Sequence, residues 1–280
     1  MTAETAALLG VASLAASALG SALGMAGGIF VVPLLTLFAG ASFPTAVAVS
    51  LVSVIACSCA SAPQFLSARL VNLRLAAVLE LATVAGSVVG VLLVGSIAPG
   101  ILYGLFAVVL LVSAAQMLRP RRSAQPLGSG WGERLRLASS APDAGGVDQR
   151  YHVGSLPIGL SLMFGAGTLS ALLGIGSGVL KIPAMDAALR LPLKVSSATA
   201  NLMIGVTATG TAAAYLILGK VDLVLAGPVV LGSVLGAVLG ARAMVRVNGS
   251  VLRVAFVLVL AALAVPMGLT AFGIEIGPLR

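Results

Sequence analysis

The chain has 280 residues, 59% of them apolar and only 9% charged, with a mean hydropathy of +1.15 and a formal net charge of +8. A soluble globular domain carries roughly a quarter charged residues, so this composition excludes one, and the short alternating strands that a membrane β-barrel needs are absent too. An α-helical bundle in a bilayer remains, and nucleic acid drops out as a partner because the basic residues are scattered between apolar runs, where they act as topology signals.

Apolar runs fall at 7–40, 44–66, 75–98 and 100–118, then at 155–190, 194–218, 223–241 and 251–272. Runs of about 18 or more apolar residues are what bilayer-spanning helices require. No Lys or Arg precedes the first run, so no secretory signal is expected and the segment should be retained. The first run is too long for one perpendicular helix and short for two full crossings. Midway it is interrupted by Gly24-Met25-Ala26-Gly27-Gly28. Glycine tolerates the backbone angles of a sharp reversal, and broken backbone survives at membrane depth only where protein covers it or it lines a cavity. A re-entrant hairpin is therefore predicted here.

The second run places Ser50, Ser53, Cys57 and Ser61 on roughly one face, where packing is the expected role for most of them. Cys57 and Cys59 point to different faces, so neither a disulfide nor a metal pair is expected. In the third run Glu80 lies less than two turns above Arg74 and is expected to snorkel to the same interface; a proton-coupling carboxylate is the other reading. Segment 119–153 holds Arg119, Arg121, Arg122, Arg134, Arg136 and Arg150 among Gly, Pro and Ser, and reads as a solvated linker with a short interfacial turn around Trp131. The fifth run repeats the break as Gly174-Ile175-Gly176-Ser177-Gly178, and Asp186 and Arg190 beyond it have the i, i+4 spacing of a pair near the membrane face. In the sixth run Asn201 sits in an apolar setting with an amide that cannot satisfy itself. His152, in the linker, is the chain's one histidine.

The two groups of runs match. A shift of 150 superimposes Gly24 on Gly174, Gly28 on Gly178, Pro33 on Pro183, Ala48 on Ala198 and Val71-Asn72-Leu73 on Val221-Asp222-Leu223. After a gap of about one helical turn, Gly86-Ser87-Val88-Val89-Gly90 falls on Gly232-Ser233-Val234-Leu235-Gly236. One offset holding glycines, a proline and a polar loop in register marks an internal repeat. The expected organisation is a first transmembrane repeat at 1–118, a cytoplasmic linker at 119–153 and a second repeat at 154–280. If the first run of each repeat returns to its starting side, every Lys and Arg except Lys181, Lys220 and Arg280 lies on the cytoplasmic side. The fold class predicted is thus an all-α polytopic membrane protein of two inverted repeats, each a broken, re-entrant first helix followed by three transmembrane helices.

Glycine-rich breaks at matching positions of two halves point to a transporter's binding site, and the new helix after each break aims its positive dipole end at the centre, which favours anions. The bland reading, close helix packing through Gly20, Gly24 and Gly28, suits a single motif better than a matched pair. No paired carboxylates, membrane-embedded histidine or nucleophile–base set supports an enzyme, and neither cofactor nor metal is expected.

These residues resemble the TauE/SafE family of membrane transporters, sulfite and organosulfonate exporters. The likeness rests on Gly24-x-x-Gly27-Gly28-x-x-x-x-Pro33 with Ala48-Val49-Ser50-Leu51. It rests equally on Gly174-x-Gly176-x-Gly178-x-x-x-x-Pro183 with Ala198-Thr199-Ala200-Asn201, and on the Val71-Asn72-Leu73 and Val221-Asp222-Leu223 turns. Ala26 and Ser177 depart from it, standing where members often carry a further glycine. The resemblance implies export of a small sulfur-containing anion across the cell (inner) membrane by alternating access. Substrate is then expected at Gly27, Gly28, Ser50, Gly176, Ser177, Gly178, Lys181 and Asn201. Lys181 could pair with Asp186 or Glu80 or snorkel to the cytoplasmic face. The preferred reading has it hold a sulfonate or sulfite oxygen, because both carboxylates have interfacial partners at hand. Partners expected are the anion, the bilayer and, as an option, a second copy in a homodimer. A channel or carrier for another solute, including a cation taken up by Glu80 and Asp186, is the alternative, and a structural scaffold leaves the matched breaks unexplained.

Reporter fusions at each terminus and inside 119–153 test the topology. Both termini should report outside and the linker inside; a cytoplasmic C-terminus together with a cytoplasmic linker excludes inverted repeats.

Overall fold

The computed structural model describes residues 3–93, 96–118, 131–135, 137–142, 148–174, 177–246 and 249–271. Its helices are α1 (Ala3–Ala22), α2 (Gly28–Phe38), α3 (Phe43–Ser67), α4 (Leu73–Leu93), α5 (Pro99–Leu118), a single turn α6 (Trp131–Arg134), α7 (Leu156–Leu173), α8 (Gly178–Ala184), α9 (Leu193–Ile217), α10 (Leu223–Arg246) and α11 (Gly249–Ala271). A π-helical turn, Met185–Leu189, continues α8, and strands β1 (Ser139–Pro142) and β2 (Asp148–Tyr151) pair antiparallel between α6 and α7. Among the described residues six helices are long and apolar enough to cross a membrane, and large apolar side chains such as Leu81, Leu92, Ile217 and Leu231 face outward. The protein is a multi-pass membrane protein.

Both expected breaks are present, but they are not midway. The first arms, α1 with 20 residues and α7 with 18, are each about 30 Å long, whereas α2 has 11 residues and returns about half as far. The chain doubles back at each break. A Cβ on Gly27 would lie 2.7 Å from Ser17 Cα on α1, so glycine is needed for that approach. In the second hairpin the Gly154 and Ser155 N–H groups, just before α7, donate to the Leu189 and Ala188 carbonyls at 3.1 and 3.0 Å. The return arm therefore ends where the hairpin began.

Each long helix finds its main partner across the sequence midpoint: α1 with α10, α4 with α7, α5 with α11, and α3 with both α10 and α9. Along α3 and α9 the contacts run in opposite senses, with Ser61 at Asn201, Ser58 at Gly205 and Asn72, beyond the end of α3, at Thr199. Gly100 and Gly104 face Ala271 while Ala107 faces Gly268, so α5 and α11 also meet antiparallel.

The glycine stripes explain how closely these helices approach and correct one expectation. A Cβ on Gly86 or Gly90 would lie 2.8 Å from the Phe164 carbonyl carbon and 3.2 Å from that of Thr168. A Cβ on Gly236 or Gly240 would meet Leu14 and Ala18 in the same way, at 3.0 and 2.9 Å. Leu14 and Ala18 are themselves 150 residues before Phe164 and Thr168. Gly86 thus corresponds to Gly236, not Gly232, and Gly90 to Gly240. The one-turn gap expected from sequence does not exist: apolar helices with a glycine at every fourth position match almost equally well when slid by four, and only the facing helix decides the register.

The 68–72 turn, the described part of the linker and the start of α7 gather at one end of the bundle. Asn72 Nδ2 donates to the Leu137 carbonyl at 2.9 Å and to Tyr151 Oη at 3.0 Å, and its Oδ1 caps Leu75 N–H at 3.1 Å. Burial pushes the Tyr151 phenol up, so it meets Asn72 as a neutral hydroxyl.

Replacing Gly86 or Gly236 by Val should lower the thermal midpoint of detergent-solubilised protein, by about 1–3 kcal/mol of stability or more, because backbone blocks relaxation. Gly210→Ala, which meets open space on α9, should leave it unchanged or raise it by up to about 1 kcal/mol.

Candidate functional site

Local backbone chemistry puts the two tips at the protein centre. Gly24 and Gly174 take left-handed angles, φ 79 and 66, and let α1 and α7 end abruptly. Ala26 and Ser177, where the sequence departs from glycine, are also left-handed at φ 51 and 49. A residue with a Cβ pays about 1–2 kcal/mol there, so the surroundings hold these turns in place. Those surroundings are α3 and α9, which cross at the tips. Gly24 lies against Ser197 of α9, 2.7 Å from a would-be Cβ to Ser197 Cα, and Gly174 lies against Val47 of α3, 2.7 Å to Cγ1. A Cβ on Gly178 would be 3.0 Å from Met25 Cα, so the tips also touch each other.

Ser50 ties this arrangement together. Its hydroxyl lies 2.8 Å from the Gly174 carbonyl and 3.1 Å from the Gly28 carbonyl, one from each hairpin, and it is wholly buried. Asn201 occupies the same α9 face as Ser197 and Ile204, which touch the first and second tips. Its Oδ1 accepts from Ser61 at 2.8 Å and its carbonyl from Ser58 at 2.7 Å, while its buried Nδ2 has no partner. Buried Ser177 Oγ likewise lacks one. Of the expected residues, Gly28, Ser50 and Gly178 therefore meet at the centre. Ser177 directly precedes Gly178, and Asn201 lies beside them. Gly27 packs on its own α1, and Gly176 falls outside the described residues.

Lys181 and Glu80 differ from expectation. The Lys181 ammonium is fully buried and lies 3.0 Å from Glu80 Oε2 and 2.8 Å from Thr207 Oγ1. Glu80 does not snorkel towards Arg74. It points inward, and its Oε1 accepts from the Thr207 hydroxyl. The physical reason is charge: a lone ammonium or carboxylate inside hydrocarbon costs several kcal/mol, and each is the other's remedy. The signal was present, since Glu80 and Lys181 are opposite charges inside apolar runs of opposite halves and their pairing is one reading of Lys181. Thr207 gave no signal of its own. A similar but uncharged cluster joins Cys57 Sγ to the Ser233 carbonyl at 3.3 Å and to Ser17 Oγ at 3.7 Å.

The family described as Sulfite exporter TauE/SafE matches residues 9–267. The chain belongs to the TauE/SafE family. Its members are membrane transporters, and the match spans both hairpins and every helix pair named above. The chain is also similar to the Probable membrane transporter protein YunE of Bacillus subtilis (strain 168), with 28% identity over 244 residues, covering 84% of this chain and 86% of that protein. No solved structure matches.

Ser50→Ala should destabilise this TauE/SafE protein by about 1–3 kcal/mol in thermal unfolding, because the one hydroxyl hydrogen that the buried Gly174 and Gly28 carbonyls share is lost. Ser13→Ala, which removes a buried hydroxyl without a partner, should be neutral or slightly stabilising.

Proposed function

We propose that the protein carries a small sulfur-containing anion, sulfite or an organosulfonate, out across the cell (inner) membrane by alternating access. The observation that carries this reading is the meeting of two broken helices at one buried point, linked by Ser50 to a carbonyl of each. Discontinuous helices whose ends converge at the repeat interface are where secondary transporters hold their substrates. The substrate site in this reading comprises Gly27, Gly28, Ser50, Gly176, Ser177, Gly178, Lys181 and Asn201. The unpartnered Asn201 Nδ2 and Ser177 hydroxyl are donors free to meet an anionic oxygen.

Antiparallel contact between the matched helices α3 and α9, and again between α5 and α11, supports inverted repeats at 1–118 and 154–280 joined by 119–153. A two-fold axis in the membrane plane makes equivalent helices antiparallel, whereas an axis along the membrane normal keeps them parallel. Clustering of Arg69, Arg74, Arg190 and Lys194 around the turns at the linker end supports a cytoplasmic linker. The membrane itself and the anion are the partners in this reading, with a homodimer compatible. A cation carrier is disfavoured because the buried carboxylate Glu80 already pairs with Lys181.

Purified protein in proteoliposomes should move labelled sulfite, sulfoacetate or methanesulfonate and leave sodium and potassium behind. Gly178→Val should lose most of that flux while still inserting, because its side chain enters the contact between the tips. Wild-type flux in the variant moves the site elsewhere, and cation flux in place of anion flux favours the other carrier.

A further inference from the structure

Among the described residues a charged constellation stands out that the hairpin fold does not require. Lys181, Glu80 and Thr207 join α8, α4 and α9 inside the membrane region. By the register that the glycine contacts establish, their counterparts in the other half are Val31, Val230 and Cys57. The first hairpin thus packs at the same place without any charge. A buried ion pair is weak evidence for stability, since desolvation consumes most or all of the attraction. A role beyond packing is called for.

We propose that Glu80 is a proton-binding site coupled to anion binding at Lys181, so that each anion crosses together with a proton. This rests on the anion-carrier reading above and names its coupling ion. The argument is charge conservation in a low dielectric. With the pair intact, ammonium and carboxylate sum to zero. An anion that displaced Glu80 from Lys181 would leave an unpaired carboxylate beside it, and the interior would carry a net negative charge at a cost of several kcal/mol. If a proton from water binds a Glu80 oxygen as the anion takes the ammonium, the loaded state sums to zero again. Anion and proton then enter together and leave together, the proton returning to water when Glu80 re-forms its bond to Lys181.

Two details of the geometry fit this exchange. Lys181 follows Gly178 by three residues, so the ammonium stands about one turn from the point where the hairpin tips touch. Any rearrangement of the second tip moves the ammonium relative to Glu80, which is anchored on α4. Thr207 also has a second acceptor ready. Its hydroxyl donates to Glu80 Oε1 and lies 3.1 Å from the Met203 carbonyl. When Glu80 gains a proton, the hydroxyl can turn its hydrogen to Met203 and accept the new carboxyl hydrogen through its oxygen.

The titratable groups on the elements packed around the pair are Arg74 on α4, Cys57 and Cys59 on α3, Tyr103 on α5, Asp186 in the π-helical turn, and Lys194 and Tyr215 on α9; α7 contributes none. The Lys181 ammonium itself donates to Glu80 and to Thr207. A monoanion carried with a proton moves electroneutrally. It runs outward only while its own gradient exceeds an inward pH gradient.

The test uses wild-type protein in proteoliposomes with an entrapped pH dye, the membrane potential clamped, and methanesulfonate as the probe because it stays a monoanion over the accessible pH range. An inward methanesulfonate gradient should acidify the lumen in step with anion entry. An imposed gradient of one pH unit, lumen alkaline, should concentrate the anion up to about tenfold inside. In Glu80→Gln the protons moved per anion should fall to zero, whatever anion flux remains. Methanesulfonate flux with no lumen acidification and no response to the pH gradient overturns the proton site and leaves the anion carrier standing. Absence of flux for methanesulfonate, sulfite and sulfoacetate counts against the carrier reading instead. The proton site is then decided by infrared titration of the membrane-embedded protein. A carboxyl that protonates reversibly in wild type and is displaced in Glu80→Asp supports it; a carboxylate that stays ionised down to the pH of unfolding overturns it. Glu80→Asp keeps a carboxyl and so serves where Glu80→Gln fails to fold.

Discussion

Backbone amides and carbonyls that leave a helix inside a membrane have no water to turn to, and each one left unmet costs several kcal/mol. This chain interrupts its helices twice among buried residues, between Ala22 and Gly28 and again between Leu173 and Gly178. Much of the architecture follows from covering those two points. Helices α3 and α9 cross at the tips, Val47 and Ser197 close on Gly174 and Gly24, and Ser50 answers a carbonyl from each hairpin. The partner exchange between halves has the same origin, because α1 and α7 each need a wall that their own short return arm cannot supply.

Those walls are built from glycine. Between apolar helices in lipid there is little hydrophobic gain from association, so dispersion at close approach must hold them. Gly86 and Gly90 on α4, like Gly236 and Gly240 on α10, bring a neighbour's backbone to distances at which no Cβ fits. Such contacts are rigid, because a neighbour's backbone cannot give way as a side chain can.

Against this matched frame several buried polar groups are unmatched. Asn201 stands where the other half has Leu51, Ser197 where it has Val47, and Lys181 with Glu80 and Thr207 where it has Val31, Val230 and Cys57. The same positions in the other half pack without charge, so the hairpin fold itself does not demand the ion pair.

Much of this was legible in the sequence. Composition alone demanded a helical membrane protein, because 9% charged residues cannot clothe a soluble surface. The glycine breaks, the shift of 150 and the central placement of Gly28, Ser50 and Gly178 were readable because backbone reversal and close approach admit few residue types. Three things needed the tertiary structure. The position of the reversal, beyond a full-length first arm, depends on where α3 and α9 offer cover. The register of α10 was ambiguous by one turn, since an apolar helix with regularly spaced glycines looks the same after such a slide. The union of Lys181 with Glu80 depends on packing α8 against α4, and 101 residues of chain separate the two. A sequence states which groups cannot be left alone in hydrocarbon; only the folded chain decides which of them meet, because that depends on helix packing that apolar residues specify through shape and not through identity.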